Sequence, residues 1–324
     1  MTSKIEISHR TIIFTVVLMA SIWVLFQIRD ILYLLFISFL VMTALRPLVE
    51  WLARFKIPRI IAIFIIYLLV FGFLGFSVAS TIPLLVMQVT KFVAALPSFV
   101  SRVMPYWDID VRALTQQIAP IGENIVRVTV GVFSNIVTTL TVLVFTFYFL
   151  LERRNIRKLL LDTLGEERGK NLLSLLTDIE ERLGAWVRGQ LFLMVTIGVL
   201  TYIGLTLLHV EYALPLAVVA GILEIVPMIG PIISAVPAVF VAFTASPFLA
   251  LSVAALYFII QQVENHAIVP FVMRRSVGLS PLITIVALMI GAKLAGVVGA
   301  VLAVPVVLVA QVMTNELLTK KSVT

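Results

Sequence analysis

The chain of 324 residues has no cysteine and only three histidines, His9, His209 and His266, at scattered positions. Disulfides, thiolate chemistry and cysteine-based metal sites are therefore excluded, and the histidines are not spaced to share a metal ion. The sequence also lacks the HExxH, GxSxG, Walker and GxGxxG motifs that mark common enzyme and nucleotide sites. We therefore expect a protein that is not an enzyme and that uses no cofactor.

Charge is scarce as well. Charged residues make up 13% of the chain, about half the share of an ordinary soluble domain. Hydrophobic residues make up 61% and the mean hydropathy is +1.14. The net charge of +7 comes from basic residues in short connections, which is typical of topology determinants. The composition predicts an all-α polytopic membrane protein. Its partner is membrane lipid, and the positive charge does not indicate binding to nucleic acid.

We assign six full transmembrane helices and two broken segments to eight hydrophobic stretches. A helix that crosses the hydrocarbon core needs about 20 apolar residues, since each residue adds about 1.5 Å. The six helices are assigned to residues 11–28, 31–45, 60–82, 128–151, 191–208 and 248–268.

The apolar run at 212–245 is interrupted in its middle by Pro227, Gly230 and Pro231. Each arm has roughly 13–14 residues and would be ~20 Å long, too short for a hydrocarbon core of ~30 Å. Such a pattern predicts a re-entrant helical hairpin. Irregular backbone at membrane depth is tolerated only where protein or a water-filled cavity surrounds it.

A similar segment follows 66 positions later, at 280–311, where Gly296 aligns with Gly230. The alignment defines two repeat units, about 190–247 and 256–314. Paired hydrophobic segments broken by glycine or proline indicate the binding site of a secondary transporter. We therefore predict a second re-entrant hairpin and an inverted repeat.

Three regions follow from this assignment. Residues 1–151 hold the N-terminal membrane helices and an extracytoplasmic amphipathic segment at 83–127. Residues 152–189 form a cytoplasmic amphipathic helical segment, and 190–324 form the transport core. The positive-inside rule places both termini in the cytoplasm, so the first hairpin would enter from outside and the second from inside.

Glu224 is the first candidate for function, because an ionisable group within the bilayer is costly and is retained for a reason. It lies three residues before Pro227, at the carbonyl end of a half-helix. We predict a proton carrier or a monovalent cation ligand. The alternatives are a carboxylate in a wet vestibule or one paired with Lys293.

A polar run within YFIIQQVENHAIVP is the second candidate, since it must face protein or water. Its amides and carboxylate could bind a substrate or simply join helices. The predicted substrate or ion pathway comprises Glu224, Pro227, Gly230, Pro231, Gln261, Gln262, Glu264, Asn265, Lys293 and Gly296, and no metal site is expected beyond a monovalent cation at Glu224.

The motifs IVPMIGPIISAVPA and QQVENHAIVP, with RPLVEWLARFKIPRIIAI near the amino end, resemble those of the autoinducer-2 exporter family. The resemblance implies a multi-pass protein of the bacterial inner membrane that forms a homo-oligomer. It also implies export of a small polar signal or, for some members, exchange of sodium or lithium for protons.

We therefore expect an ion-gradient-driven transporter that exports a small polar molecule by alternating access. The alternatives are a Na⁺(Li⁺)/H⁺ antiporter and a passive channel or structural membrane protein.

Overall fold

The computed structural model describes residues 9–72, 136–273 and 279–321, with four isolated positions between the first two ranges (75, 76, 83 and 87). All regular elements in these ranges are helical, as predicted. They are α1 (His9–Gln27), α2 (Arg29–Ala53), α3 (Arg59–Gly72), α4 (Ile136–Leu164), α5 (Glu166–Leu207), α6 (Ala213–Leu223), α7 (Ile229–Ala245), α8 (Pro247–Val263), a π-helical turn (Glu264–Ile268), α9 (Val269–Met273) and α10 (Pro281–Lys321). The predicted segment 83–127 lies outside the described residues apart from 83 and 87.

Four described helical segments are long and apolar enough to cross a membrane: Arg29–Ala53, Glu166–Leu207, Pro247–Val272 and Pro281–Glu316. Shorter apolar helices accompany them, among them α3, α6 and α7. Because several such segments pack together in one chain, the protein is a multi-pass membrane protein.

Helices α1 and α2 follow each other with only Ile28 between them. The amide of Ile28 donates to the Val24 carbonyl at 3.0 Å, and the amide of Leu32 donates to the Ile28 carbonyl at 3.1 Å. Helical hydrogen bonding thus continues from α1 into α2. The two helices do not pack side by side. The two helices are nevertheless separate elements, as predicted, because α1 ends at Gln27 and α2 begins at Arg29.

The longest uninterrupted helix, α5, joins two segments that were predicted separately. Its 42 residues form a helix ~63 Å long, which is longer than a hydrocarbon core of ~30 Å. The first half is charged and the second half is apolar. α5 packs against α2, α4, α6, α8 and α10. A Cβ atom on Gly221 of α6 would lie only 2.7 Å from the Met194 carbonyl oxygen of α5, so the small residue permits this close helix contact.

Helix α6 packs on the uncharged end of α5 and on α7, and α7 also packs on α8. Their shared core contains Leu216, Ala242 and, from the end of α5, Leu205. In contrast, the second half of α10 packs on the charged half of α5, where Leu308 and Trp186 share a core cluster. The two broken segments therefore lie against opposite ends of the same helix.

Arginines and glutamates of three helices meet beside the charged half of α5. Glu180 accepts from Arg46 of α2 at 2.9 Å and from Arg153 of α4 at 2.6 Å. Glu50 of α2 lies 2.7 Å from Arg46 and 3.8 Å from Arg153. Two charged regions that the sequence placed on the same side of the membrane therefore meet in space.

We predict that Glu180→Gln destabilises the protein by ~1–3 kcal/mol, because two half-buried guanidinium groups lose their shared carboxylate. Thermal unfolding of the purified protein in detergent measures the change. Glu166→Gln is the control, since Glu166 pairs only with Lys170 on an exposed helix face and such pairs contribute little. Equal melting temperatures for the two variants would contradict the prediction.

Candidate functional site

The segment Glu224–Met228 ends α6 and reverses the chain into α7. The last turn tightens, with the Val226 amide donating to the Leu223 carbonyl at 3.1 Å. Pro227 has no amide hydrogen, and Met228 adopts a left-handed φ of 67°. The helix therefore stops where the sequence predicts, and its last carbonyl groups are released from the regular helical pattern.

Gly230 and Pro231 make this reversal compact. A Cβ atom on Gly230 would overlap the Leu223 carbonyl oxygen, so a larger residue would force α6 and α7 apart. Pro231 is buried in the first turn of α7, where a missing amide hydrogen costs no helical hydrogen bond. Both residues shape the backbone around Glu224.

The second predicted break lies inside α10, at Ala295 and Gly296. Gly296 has φ 58° and ψ −138°, a conformation available mainly to glycine. The carbonyl oxygen of Gly291 lies where a Cβ atom on Gly299 would be. Residues 281–294 and 297–321 therefore fold back on each other, held close by two glycines.

A π-helical turn sets the direction of the polar run. Pro270 cannot donate to the carbonyl of His266, and the amide of Val269 bonds instead to the carbonyl of Glu264. This widening directs Glu264 inward, with 4% of its surface exposed, whereas Gln262 and Asn265 are exposed. π-Helical turns often occur at functional sites.

The turn and the α6–α7 reversal bring two carboxyl groups together. Glu224 is fully buried, and its carboxyl group lies within interaction range of that of Glu264. Within the described part of the chain, neither carboxyl oxygen of Glu224 has a hydrogen-bond partner of good geometry. Glu264 accepts one long hydrogen bond, 3.3 Å from Gln261 Nε2, and Gln261 also donates to Asn265 at 3.4 Å.

Gln190 is a site residue that the sequence analysis missed. It lies at the beginning of the apolar half of α5, is 3% exposed, and donates its side-chain amide to the backbone carbonyl of Glu224. Its own Oε1 is buried and has no partner among the described residues. The only sequence signal is an amide side chain next to an apolar run, which is too common to single it out.

Lys293 does not join this cluster. It is exposed on the first arm of α10, and no ion pair between Lys293 and Glu224 occurs among the described residues. The alternative of a Glu224–Lys293 pair is therefore absent from this structure. Gly296 shapes the second break, while Glu224, Gln190, Gln261 and Glu264 converge.

The chain is similar to known proteins over nearly its full length. The model of the AI-2E family transporters matches residues 12–319. The chain is 30% identical over 317 residues to the candidate transport protein YueF of Bacillus subtilis, covering 90% of this chain and 83% of that protein. It is 29% identical to the candidate transport protein YrrI of the same organism, covering 88% and 86%. A Halobacillus andaensis protein named sodium-lithium/proton antiporter is 24% identical, covering 83% and 84%.

We predict that Gly230→Ala destabilises the protein by ~1–3 kcal/mol, because the added methyl group overpacks the α6–α7 reversal. Thermal unfolding in detergent measures the loss. Gly72→Ala is the matched control, since no atom lies within 4 Å of a Cβ atom at that position. The role assigned to Gly230 is wrong if both alanine variants unfold at the wild-type temperature.

Proposed function

Because the chain belongs to the AI-2E transporter family, as its motifs indicated, we propose that it exchanges protons for a monovalent cation across the membrane. Glu224 and Glu264 are the groups that bind the proton and the cation in turn. The cation is the cargo, and the proton gradient drives its movement.

The observation that supports this proposal is the buried carboxyl pair with no basic partner. Two negative charges that face each other away from water repel strongly, and burial of unpaired charge is costly. No lysine, arginine or histidine forms an ion pair with either carboxyl group in the described ranges. A proton or a small cation must therefore supply the compensating charge, and a site that accepts either one can exchange them.

The ligand chemistry favours a hard monovalent cation. Carboxylate oxygens are preferred by such cations, and Glu224 and Glu264 supply them from two facing groups. A pair that keeps one proton carries a single negative charge, which matches one Na⁺ or Li⁺. The relative named sodium-lithium/proton antiporter is consistent with this assignment.

Export of a small polar signal, the first function expected from the sequence, is less well supported. A groove of about 350 Å³ beside the site, between α5 and α6, is large enough for a small solute. Its lining is almost entirely apolar, however, with residues such as Met194, Val199 and Leu214. A polar solute would find few hydrogen-bond partners there.

We place the two broken segments as re-entrant hairpins that enter from opposite sides of the membrane. Their packing against opposite ends of α5 supports this arrangement and fits the inverted repeat of about 190–247 and 256–314. The charged ends of α2, α4 and α5 would face the cytoplasm of a bacterial inner membrane, together with both termini. Alternating access would then require the two hairpins to move relative to one another. The homo-oligomer stays a prediction of the resemblance.

The remaining predicted pathway residues have supporting roles in this proposal. Pro227, Gly230, Pro231 and Gly296 shape the two breaks. Gln261 holds Glu264 in place through its side-chain amide. Gln262, Asn265 and Lys293 are exposed and have no assigned contact with the cation.

Transport by the purified protein in liposomes that contain a pH-sensitive dye tests the proposal. We expect wild-type protein to move protons when Na⁺ or Li⁺ is added to one side, against a small opposing pH gradient. Glu224→Gln and Glu264→Gln each lower this flux to the level of protein-free liposomes, because both carboxyl groups take part in binding the proton and the cation in turn.

Glu211→Gln is the matched control, since Glu211 is exposed in the turn before α6; it should retain wild-type flux. Unchanged exchange in Glu224→Gln would remove this residue from the mechanism. Cation flux that never opposes a gradient would identify a passive channel instead.

A further inference from the structure

Gln190 is attached to the carboxyl site through only one end of its amide group. Its Nε2 donates to the backbone carbonyl of Glu224. If the Gln190 amide were flipped, its Oε1 would face the carbonyl oxygen of Glu224, and two acceptors cannot form a hydrogen bond. The hydrogen bond therefore fixes the orientation of the amide. The opposite end, Oε1, is buried beside the same residue and has no partner within the described residues.

Three buried acceptors belong to Gln190 and Glu224, which a hydrogen bond joins. No donor among the described residues reaches either carboxyl oxygen of Glu224 or Oε1 of Gln190, and a proton shared with the facing Glu264 would satisfy one oxygen of Glu224. Each such acceptor is unfavourable on its own, because it has given up water without gaining a hydrogen bond. A single cation bound between them would satisfy all three, whereas one proton could satisfy only one or two.

Glu264 faces Glu224 as a third oxygen-bearing residue, and the three residues belong to parts of the fold that are separate in sequence. Gln190 lies in α5, Glu224 in the α6–α7 reversal, and the facing Glu264 in the π-helical turn. A cation bound at the Glu224 carboxyl group could therefore take ligands from three separate elements of the fold. Gln190 adds an oxygen without adding charge, so the net charge of the pair stays suited to a monovalent ion.

We propose that Gln190 is a direct ligand of the transported alkali cation, binding it through Oε1 while Nε2 holds the end of α6. This inference rests on the proposed exchange function and extends it to a residue on a third element. Gln190 then increases the affinity of the site for the cation, in addition to any contribution to folding.

Thermal unfolding in detergent at increasing NaCl or LiCl, with choline chloride keeping ionic strength constant, tests the assignment. A ligand that binds only the folded state raises the melting temperature as its concentration increases. We expect Gln190→Leu to move the midpoint of this Na⁺ response at least about tenfold higher, which corresponds to ~1.4 kcal/mol. Its melting temperature without Na⁺ should fall much less than the Na⁺ response does.

Gln311→Leu is the matched control, because Gln311 of α10 also has a buried Oε1 without a partner but lies outside the carboxyl site. Its Na⁺ midpoint should equal that of wild type. If Gln190→Leu does not fold, Gln190→Asn replaces it; the shorter side chain withdraws the oxygen by about 1.5 Å and should also weaken the Na⁺ response.

A wild-type midpoint in Gln190→Leu, or in Gln190→Asn where it is used, would overturn the assignment while leaving the exchange proposal intact. A baseline melting temperature that falls while the Na⁺ midpoint stays unchanged would show a purely structural role. If wild-type protein shows neither a Na⁺ or Li⁺ response nor cation-driven proton flux in liposomes, the exchange function itself fails.

Discussion

The burial of two facing carboxyl groups, with no basic partner in the described ranges, is the constraint on which the rest of the structure depends. In a low-dielectric interior, neither their mutual repulsion nor the loss of hydration can be relieved by rearranging side chains alone. The chain supplies oxygen acceptors at Glu224 and Glu264, and the described arginines that form ion pairs do so elsewhere. In the network of Arg46, Glu50, Arg153 and Glu180, two arginines pair with two glutamates, so that the positive and negative charges balance. This network joins α2, α4 and the charged half of α5. Charge is therefore balanced in one part of the molecule and left unbalanced in another.

Interrupted helices are what make such a site compatible with a membrane. In an intact helix the backbone N–H and C=O groups are hydrogen-bonded to one another, so only side chains can bind a ligand. Where a helix is broken, carbonyl oxygens lose their helical hydrogen bonds and become available. Here each break is kept narrow by glycine: Gly230 against Leu223 in the first, and Gly291 against Gly299 in the second. The long α5 provides a common surface for both. The site is thus positioned by a rigid helix and formed by irregular backbone.

The local features of the site were predictable because they depend on neighbouring residues. Pro227 and Gly230 forced a helix end within an apolar run, and Glu224 was conspicuous as the charge beside it. The polar run at 261–265 was equally visible, but which of its members point inward was not. That direction follows from the π-helical turn at Pro270 and from packing on α5 and α6. The exposed position of Lys293 also depends on how the first arm of α10 packs, which the sequence does not specify.

Sequence alone determined the helical membrane class, the two breaks and the family, since hydropathy, proline, glycine and short motifs act over a few residues. Tertiary structure decided that Glu224 meets Glu264, that Lys293 stays away, and that Gln190 completes the cluster. These are contacts between residues 34 or more positions apart, and helix packing, rather than any local preference, brings them together. A buried acceptor without a donor can be identified only when every neighbour is known.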